Sequence, residues 1–184
     1  MDLQFNALLS AAQQETGLDD FGADDFREPL ERLLVALQSE ARLNDFGRLR
    51  AGMTINAGLV NRLKIQGYLS EHPDVHQQQL ERPIFIVGLP RTGTTALHHM
   101  LNQDPAHNTL RLWAGQNPVP PPETDSYESD PRIEQQRQGV ALTEQFMPGF
   151  LTTHLLDACL LYTSPSPRDI SAYLVCRLLL EKGG

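Results

Sequence analysis

The chain reads as an α/β protein in which N-terminal helices precede a parallel sheet, and three features of its 184 residues predict this class. The uninterrupted apolar run Ile84-Phe85-Ile86-Val87 has the character of a strand buried on both faces, as in parallel sheets. It closes on a loop punctuated by Gly and Pro, and a helix-like segment, Ala96 to Leu101, follows. Upstream, apolar residues recur at helical spacing. The length suits one domain with a substantial core.

In chain order, Asp25 to Glu28 has the D-x-x-E form of a capping box, with Pro29 in the first turn, where a missing N–H is tolerated. Leu30, Leu33, Leu34, Leu37 and Ala41 then form one apolar stripe that faces a core. A further helix runs from about Arg48 to Glu71 with Leu59, Leu63 and Tyr68 inside it; Gly52, Gly58 and Gly67 lower its propensity, and Pro73 ends it. The polar connector His76 to Gln79 leads to the strand. Beyond the loop helix, Asn117 to Pro122 is too rich in proline for regular helix or central strand and is expected to run over the surface. Ser126 to Pro131 is acidic and turn-like, and Ile133 to Gln145 is polar and helical, with Val140, Ala141 and Glu144 at helical spacing. No internal repeat is present.

The chemistry concentrates between Pro83 and Leu101. The first turn of a helix carries backbone N–H groups without intrahelical partners and the positive end of the macrodipole, so an anion placed there meets donors already aimed at it. Gly88 and Gly93 let the backbone approach closely, Thr92, Thr94 and Thr95 add hydroxyls, and Arg91 supplies a planar, permanently charged fork. The blander reading is a surface loop with a solvated arginine and threonines that only cap the helix. Gly88 and Gly93 have the separation of the G-x-x-x-x-G-K-[ST] phosphate loop, but Thr94 stands where the lysine belongs and the cation lies forward, at Arg91.

The stretch PIFIVGLPRTGTTALHHML, Pro83 to Leu101, resembles the 5′-phosphosulfate loop of sulfotransferases, closest to the bacterial family whose loop reads P-R-[ST]-G-T-T and similar to tyrosylprotein sulfotransferases. Thr16 to Gly22, Leu112-Trp113, Asn117 to Pro122 and Asp130-Pro131-Arg132 resemble the same family, so the likeness spans about Leu3 to Ala158. It implies a P-loop-like sulfotransferase fold, truncated. Residues 1–80 form an N-terminal helical segment and residues 81–158 the first part of the sulfotransferase domain. It further implies 3′-phosphoadenosine 5′-phosphosulfate (PAPS) as co-substrate, held by Pro90, Arg91, Thr92, Gly93, Thr94 and Thr95, with no metal and a small-molecule or polymer acceptor. Arg91 is the expected charge stabiliser for the leaving phosphate. The glutamate that commonly follows the tryptophan in relatives is Ala114 here, with Gly115 next. The remaining candidates for a general base are His98, one turn after Thr94 and Thr95, His99, His154 and Glu123; His98 is preferred as catalytic because imidazole suits proton transfer near neutral pH. His99 lies about 100° around the helix from His98, so the two cannot serve one atom.

The formal charge of -8 argues against a nucleic-acid partner, and Cys159 and Cys176 form neither a disulfide framework nor a zinc pattern. Neither a signal-peptide pattern at the N-terminus nor an apolar run of membrane-spanning length is visible, which predicts a cytoplasmic protein without a membrane span. Cys159 to Asp169 resembles the peptide produced when a sequencing adapter is translated in frame, so residues 159–184 are expected to be a non-native tail. The alternative is a genuine apolar C-terminal segment. Arg168 and Ser171 echo the family's 3′-phosphate pair, but too close to the loop to be it. Two other functions compete with an enzyme that is incomplete and inactive as this chain. One is an inert anion-binding fragment, and the other, disfavoured by the missing lysine, is a P-loop kinase. The acceptor and the oligomeric state are left open.

Overall fold

The computed structural model describes residues 2–79, 83–89, 92–104 and 110–146, with Thr95, His99 and Phe146 described by their backbone alone. The chain divides into two compact units, Met1–Pro73 and Asp74–Gly184.

In the first unit, helix α1 (Phe5–Thr16) buries Leu8, Leu9 and Ala12 and stops where Gly17 turns left-handed, φ 70°, its N–H bonded to Gln13 O. Helix α2 (Arg27–Ser39) follows a 3-10 turn, Asp24–Phe26. The capping box expected at Asp25–Glu28 does not form: the cap residue is Phe26, which makes no side-chain cap bond. Asp25 instead accepts from Arg62, a long-range partner that no local pattern can announce. The stripe on α2 is narrower than its spacing suggested. Leu34 is buried and Leu30 and Leu37 pack beside it, whereas Leu33 is exposed and Ala41 lies past the end of the helix.

Helix α3 (Asp45–Glu71) starts a few residues before the expected Arg48, because the Asn44 side chain accepts the Gly47 N–H at 2.7 Å and caps it. Its glycines do not break it. Gly67 receives the side chain of Leu18, with Leu18 Cδ1 only 3.2 Å from where a Cβ would sit. Leu3, Leu8, Leu9, Ala12, Phe21, Leu34, Leu59, Val60 and Leu63 form one apolar core, and a fully buried leucine such as Leu63 contributes about 1.5–3 kcal/mol. Arg62 fastens the segment after α1 to α3: its Nε donates to Phe21 O and an Nη2 to Ala23 O, each at 2.6 Å, while its guanidinium lies over the Phe26 ring.

In the second unit, the expected strand is not formed among the described residues. Residues 84–87 carry no strand assignment, and Ile84 and Val87 are 58% and 91% exposed. A parallel strand exists only through its neighbours, since its backbone groups need partners on adjacent strands and its two faces need cover. No described residue supplies a paired strand. The helix after the loop is present as α4 (Thr94–Leu101), followed by the short α5 (Leu112–Gln116) and by α6 (Pro131–Phe146), which matches the helix expected from Ile133 to Gln145. Between α5 and α6 the Asn117–Pro122 segment is irregular, as its prolines dictate, although Pro118 is buried rather than on the surface. Trp113, Ala114 and Ile133 form a small core with Leu110 and Tyr127 packed against it.

Candidate active site

In the loop between the apolar run and α4, two threonine side chains close on a glycine. A Cβ on Gly88 would lie 2.8 Å from Thr92 Oγ1 and 2.9 Å from Thr94 Cγ2, closer than real Cβ atoms stand to such neighbours. The Thr92 hydroxyl donates to Leu89 O at 2.6 Å. Gly93 then takes a left-handed conformation, φ 88°, which L side chains rarely adopt, and serves as the N-cap of α4 without a side-chain cap bond. The Leu97 N–H closes the first helical turn on Gly93 O at 3.0 Å. The N–H groups of the residues before it in that turn have no acceptor within the helix. The sequence pattern therefore becomes an exposed loop that delivers the N-terminus of an eight-residue helix.

Thr92, Gly93 and Thr94 come together in this loop with Gly88; Pro90 and Arg91 lie outside the described residues, as does the Thr95 side chain. His98 lies half-buried on α4, one turn after Thr94, and the side chain of His99 is outside the description. Glu123 is exposed just before the 3-10 turn Thr124–Ser126, and His154 and the segment 159–184 lie outside the described residues. Ala114 is 3% exposed and sits in the Trp113 core, so its position faces the interior of the unit.

Two arginine–carboxylate pairs organise the segment after the loop helix. Arg132 meets Asp130 with two parallel hydrogen bonds, Nε to Oδ1 at 2.9 Å and Nη2 to Oδ2 at 2.6 Å, and its Nη1 donates to Asn117 O and Pro120 O at 2.7 Å each. The same guanidinium lies 4.9 Å from the centroid of the Trp113 ring. Its hydrogen bonds hold the Asp130 carboxyl below the usual carboxylate range against the opposing effect of burial. Arg111 makes a second double contact, with Glu128, and lies over Tyr127; its hydrogen bond likewise lowers the exposed Glu128 carboxyl. Asp130-Pro131-Arg132 carries a resemblance in the sequence but no role that its pattern assigns. The available signal was the proline at the first position of a helix with a carboxylate just before it. The partners Asn117 and Pro120 are too distant in sequence to be read from any pattern.

Among the described residues no group of His, Cys, Asp and Glu could hold a metal ion, and no helix is long and apolar enough to cross a membrane.

Comparisons with known proteins converge on one family. The sulfotransferase family model matches residues 83–170, a span that opens on the run before the loop. The crystal structure of sulfotransferase STF1 from Mycobacterium tuberculosis H37Rv is similar at 37% identity and a TM-score of 0.73, over 85% of this chain and 44% of that one. Sulfotransferase STF9 from Mycobacterium avium is similar at 30% identity and a TM-score of 0.69, over 79% of this chain and 36% of that one. The search of curated proteins gives no match. The chain thus spans less than half the length of either solved sulfotransferase. The loop, the helix it feeds and both structural likenesses agree: residues 83–170 match the sulfotransferase family model, and the chain is similar to bacterial sulfotransferases.

Proposed function

We propose that the loop from Gly88 to Thr95 holds the 5′-phosphosulfate of PAPS for transfer of its sulfuryl group to an acceptor hydroxyl or amine. The observation that carries this reading is the glycine-capped N-terminus of α4 inside the family match. In the transfer, the bond between sulfur and the phosphate oxygen breaks, a bond forms from sulfur to the acceptor atom, and the acceptor's proton passes to a base. The protein's share is positioning and charge neutralisation. Backbone N–H groups from Thr94 onward face the anion, and Arg91 neutralises the oxygen that leaves with the phosphate. No metal is needed, since one guanidinium and a helix N-terminus serve a single phosphate. His98 is the candidate base, placed on α4 one turn behind the cradle. The acceptor is a small molecule or polymer bearing the hydroxyl or amine. The acidic, cysteine-poor composition supports a cytoplasmic setting.

A specific observation favours a second reading of this particular chain, as an anion-binding fragment without turnover: it spans less than half of either solved relative. Titration with PAPS by calorimetry separates the two readings from chance binding. The intact chain binds, and Arg91→Ala weakens binding by roughly tenfold or more, as expected for hydrogen bonds to a charged group. Equal affinity of both proteins sinks the loop assignment. With PAPS and a generic phenol the chain shows no product, and measurable turnover overturns the fragment reading while leaving the family intact.

A further inference from the structure

We propose that Gly88, Thr92 and Thr94 form a side-chain lock that sets the loop, in which the Thr92 hydroxyl is a positioning group rather than a ligand of the bound anion. This rests on the reading that the loop holds an anion, and it changes how the loop does so.

A carbonyl oxygen can only accept, so the single hydroxyl proton of Thr92 is committed to Leu89 O at 2.6 Å. No donor then remains on that side chain for a phosphate or sulfate oxygen, and its lone pairs repel one. The bond ties Thr92 to Leu89, the described residues on either side of Pro90-Arg91. The opposite wall is Gly88. Thr92 Oγ1 and Thr94 Cγ2 both occupy the space in which any other residue would carry its Cβ, at 2.8 and 2.9 Å. Thr94 thereby turns its methyl group toward Gly88, which selects one staggered χ1 and aims its hydroxyl away from that contact. Gly88 is therefore required by the packing of two threonines, and the anion is left to the backbone N–H groups after Gly93 and to Arg91.

The test combines a mutant series with two readouts on the full chain: amide hydrogen exchange at Leu97 without ligand, and PAPS affinity. Thr92→Ala and Thr92→Val both speed Leu97 exchange about fivefold, the weight of one hydrogen bond, and weaken PAPS by a similar factor, while Thr92→Ser restores both. Gly88→Ala has at least that effect in the natural background and none further in a Thr92→Ala/Thr94→Ser background, where the atoms it meets are gone. If Thr92→Ala weakens PAPS but leaves ligand-free exchange at Leu97 unchanged, Thr92 is a direct ligand and the lock is wrong. Effects of Gly88→Ala that are equal in the two backgrounds also overturn it. Absence of PAPS binding by the unaltered chain sinks the functional reading instead, and the exchange series still decides the lock.

Discussion

Arg132 makes four side-chain hydrogen bonds to three partners, Asp130, Asn117 and Pro120. Its carboxylate partner, Asp130, is only 9% exposed, so the pair is no ordinary surface ion pair. Removing the guanidinium leaves a nearly buried charge unpaired, frees the Asn117 and Pro120 carbonyls, and uncovers the Trp113 ring. Arg132→Ala is expected to destabilise the second unit by about 3–5 kcal/mol near neutral pH. The sign of the pH dependence follows from the lowered carboxyl of Asp130. A carboxylate whose folded value is depressed contributes stability that is present above its unfolded value, near 4, and is lost as pH falls through the folded value. The stability gap between the natural chain and Arg132→Ala should therefore be widest near neutrality and narrow in acid, below about pH 4. Urea unfolding followed by Trp113 fluorescence reads this directly, and a gap independent of pH would show that packing on Trp113, not the ion pair, carries the effect. Glu128 has the same sign of shift but a solvated side chain, so Arg111 is worth much less.

Elements whose partners lie within a few residues were legible in the sequence, and those that depend on distant partners were not. The presence of α2, the span of α3 through Gly52, Gly58 and Gly67, and α6 all follow from helical spacing, which is a local property. The start of α3 was missed because Asn44 sits outside the apolar pattern, although its capping chemistry was present in the sequence. Asp25 looked like a cap and became the partner of Arg62, thirty-seven positions away. The candidate site divides the same way: the glycines, threonines and helix of the loop were readable, while the commitment of Thr92 to Leu89 required geometry. The run at 84–87 is the sharpest case. Its composition belongs to a buried parallel strand, yet Ile84, Val87 and Leu89 stand exposed in the second unit, the last at 77%. Such a run, free of charge and high in β propensity, is a template for pairing with other chains. Val87→Lys should lower binding of an apolar dye and raise the concentration at which the chain stays monodisperse, because Val87 contacts little that the change could disrupt. Unchanged dye binding would locate the sticky surface elsewhere, for which Phe46, Leu49 and Met53, exposed along α3, are the next candidates.

At the scale of the whole chain, the two units have different means of staying folded. The first draws a single core from residues between Leu3 and Leu63, wraps it with three helices, and adds the Arg62 tie. Among its described residues, the second has a small core around Trp113, with arginine–carboxylate pairs and backbone carbonyls held by Arg132 beside it. Apolar burial is insensitive to salt and mild acid, whereas paired charges are weakened by both. The chain contains one tryptophan, so its fluorescence reports on the second unit, while α1, α2 and the 27-residue α3 of the first make up most of the helix among the described residues and so weigh most in far-UV circular dichroism. Unfolding in urea should then show two midpoints, with fluorescence changing at lower denaturant than helicity, and the separation should widen as pH is lowered toward 4. A chain ending at Pro73, close to the smallest size at which one core suffices, is expected to keep the helicity of the first unit by itself. Coincident transitions by both probes, together with an unfolded 1–73 chain, would mean that the first unit borrows its stability from the second. In that event the loop at Gly88 is best measured only in the longest available chain.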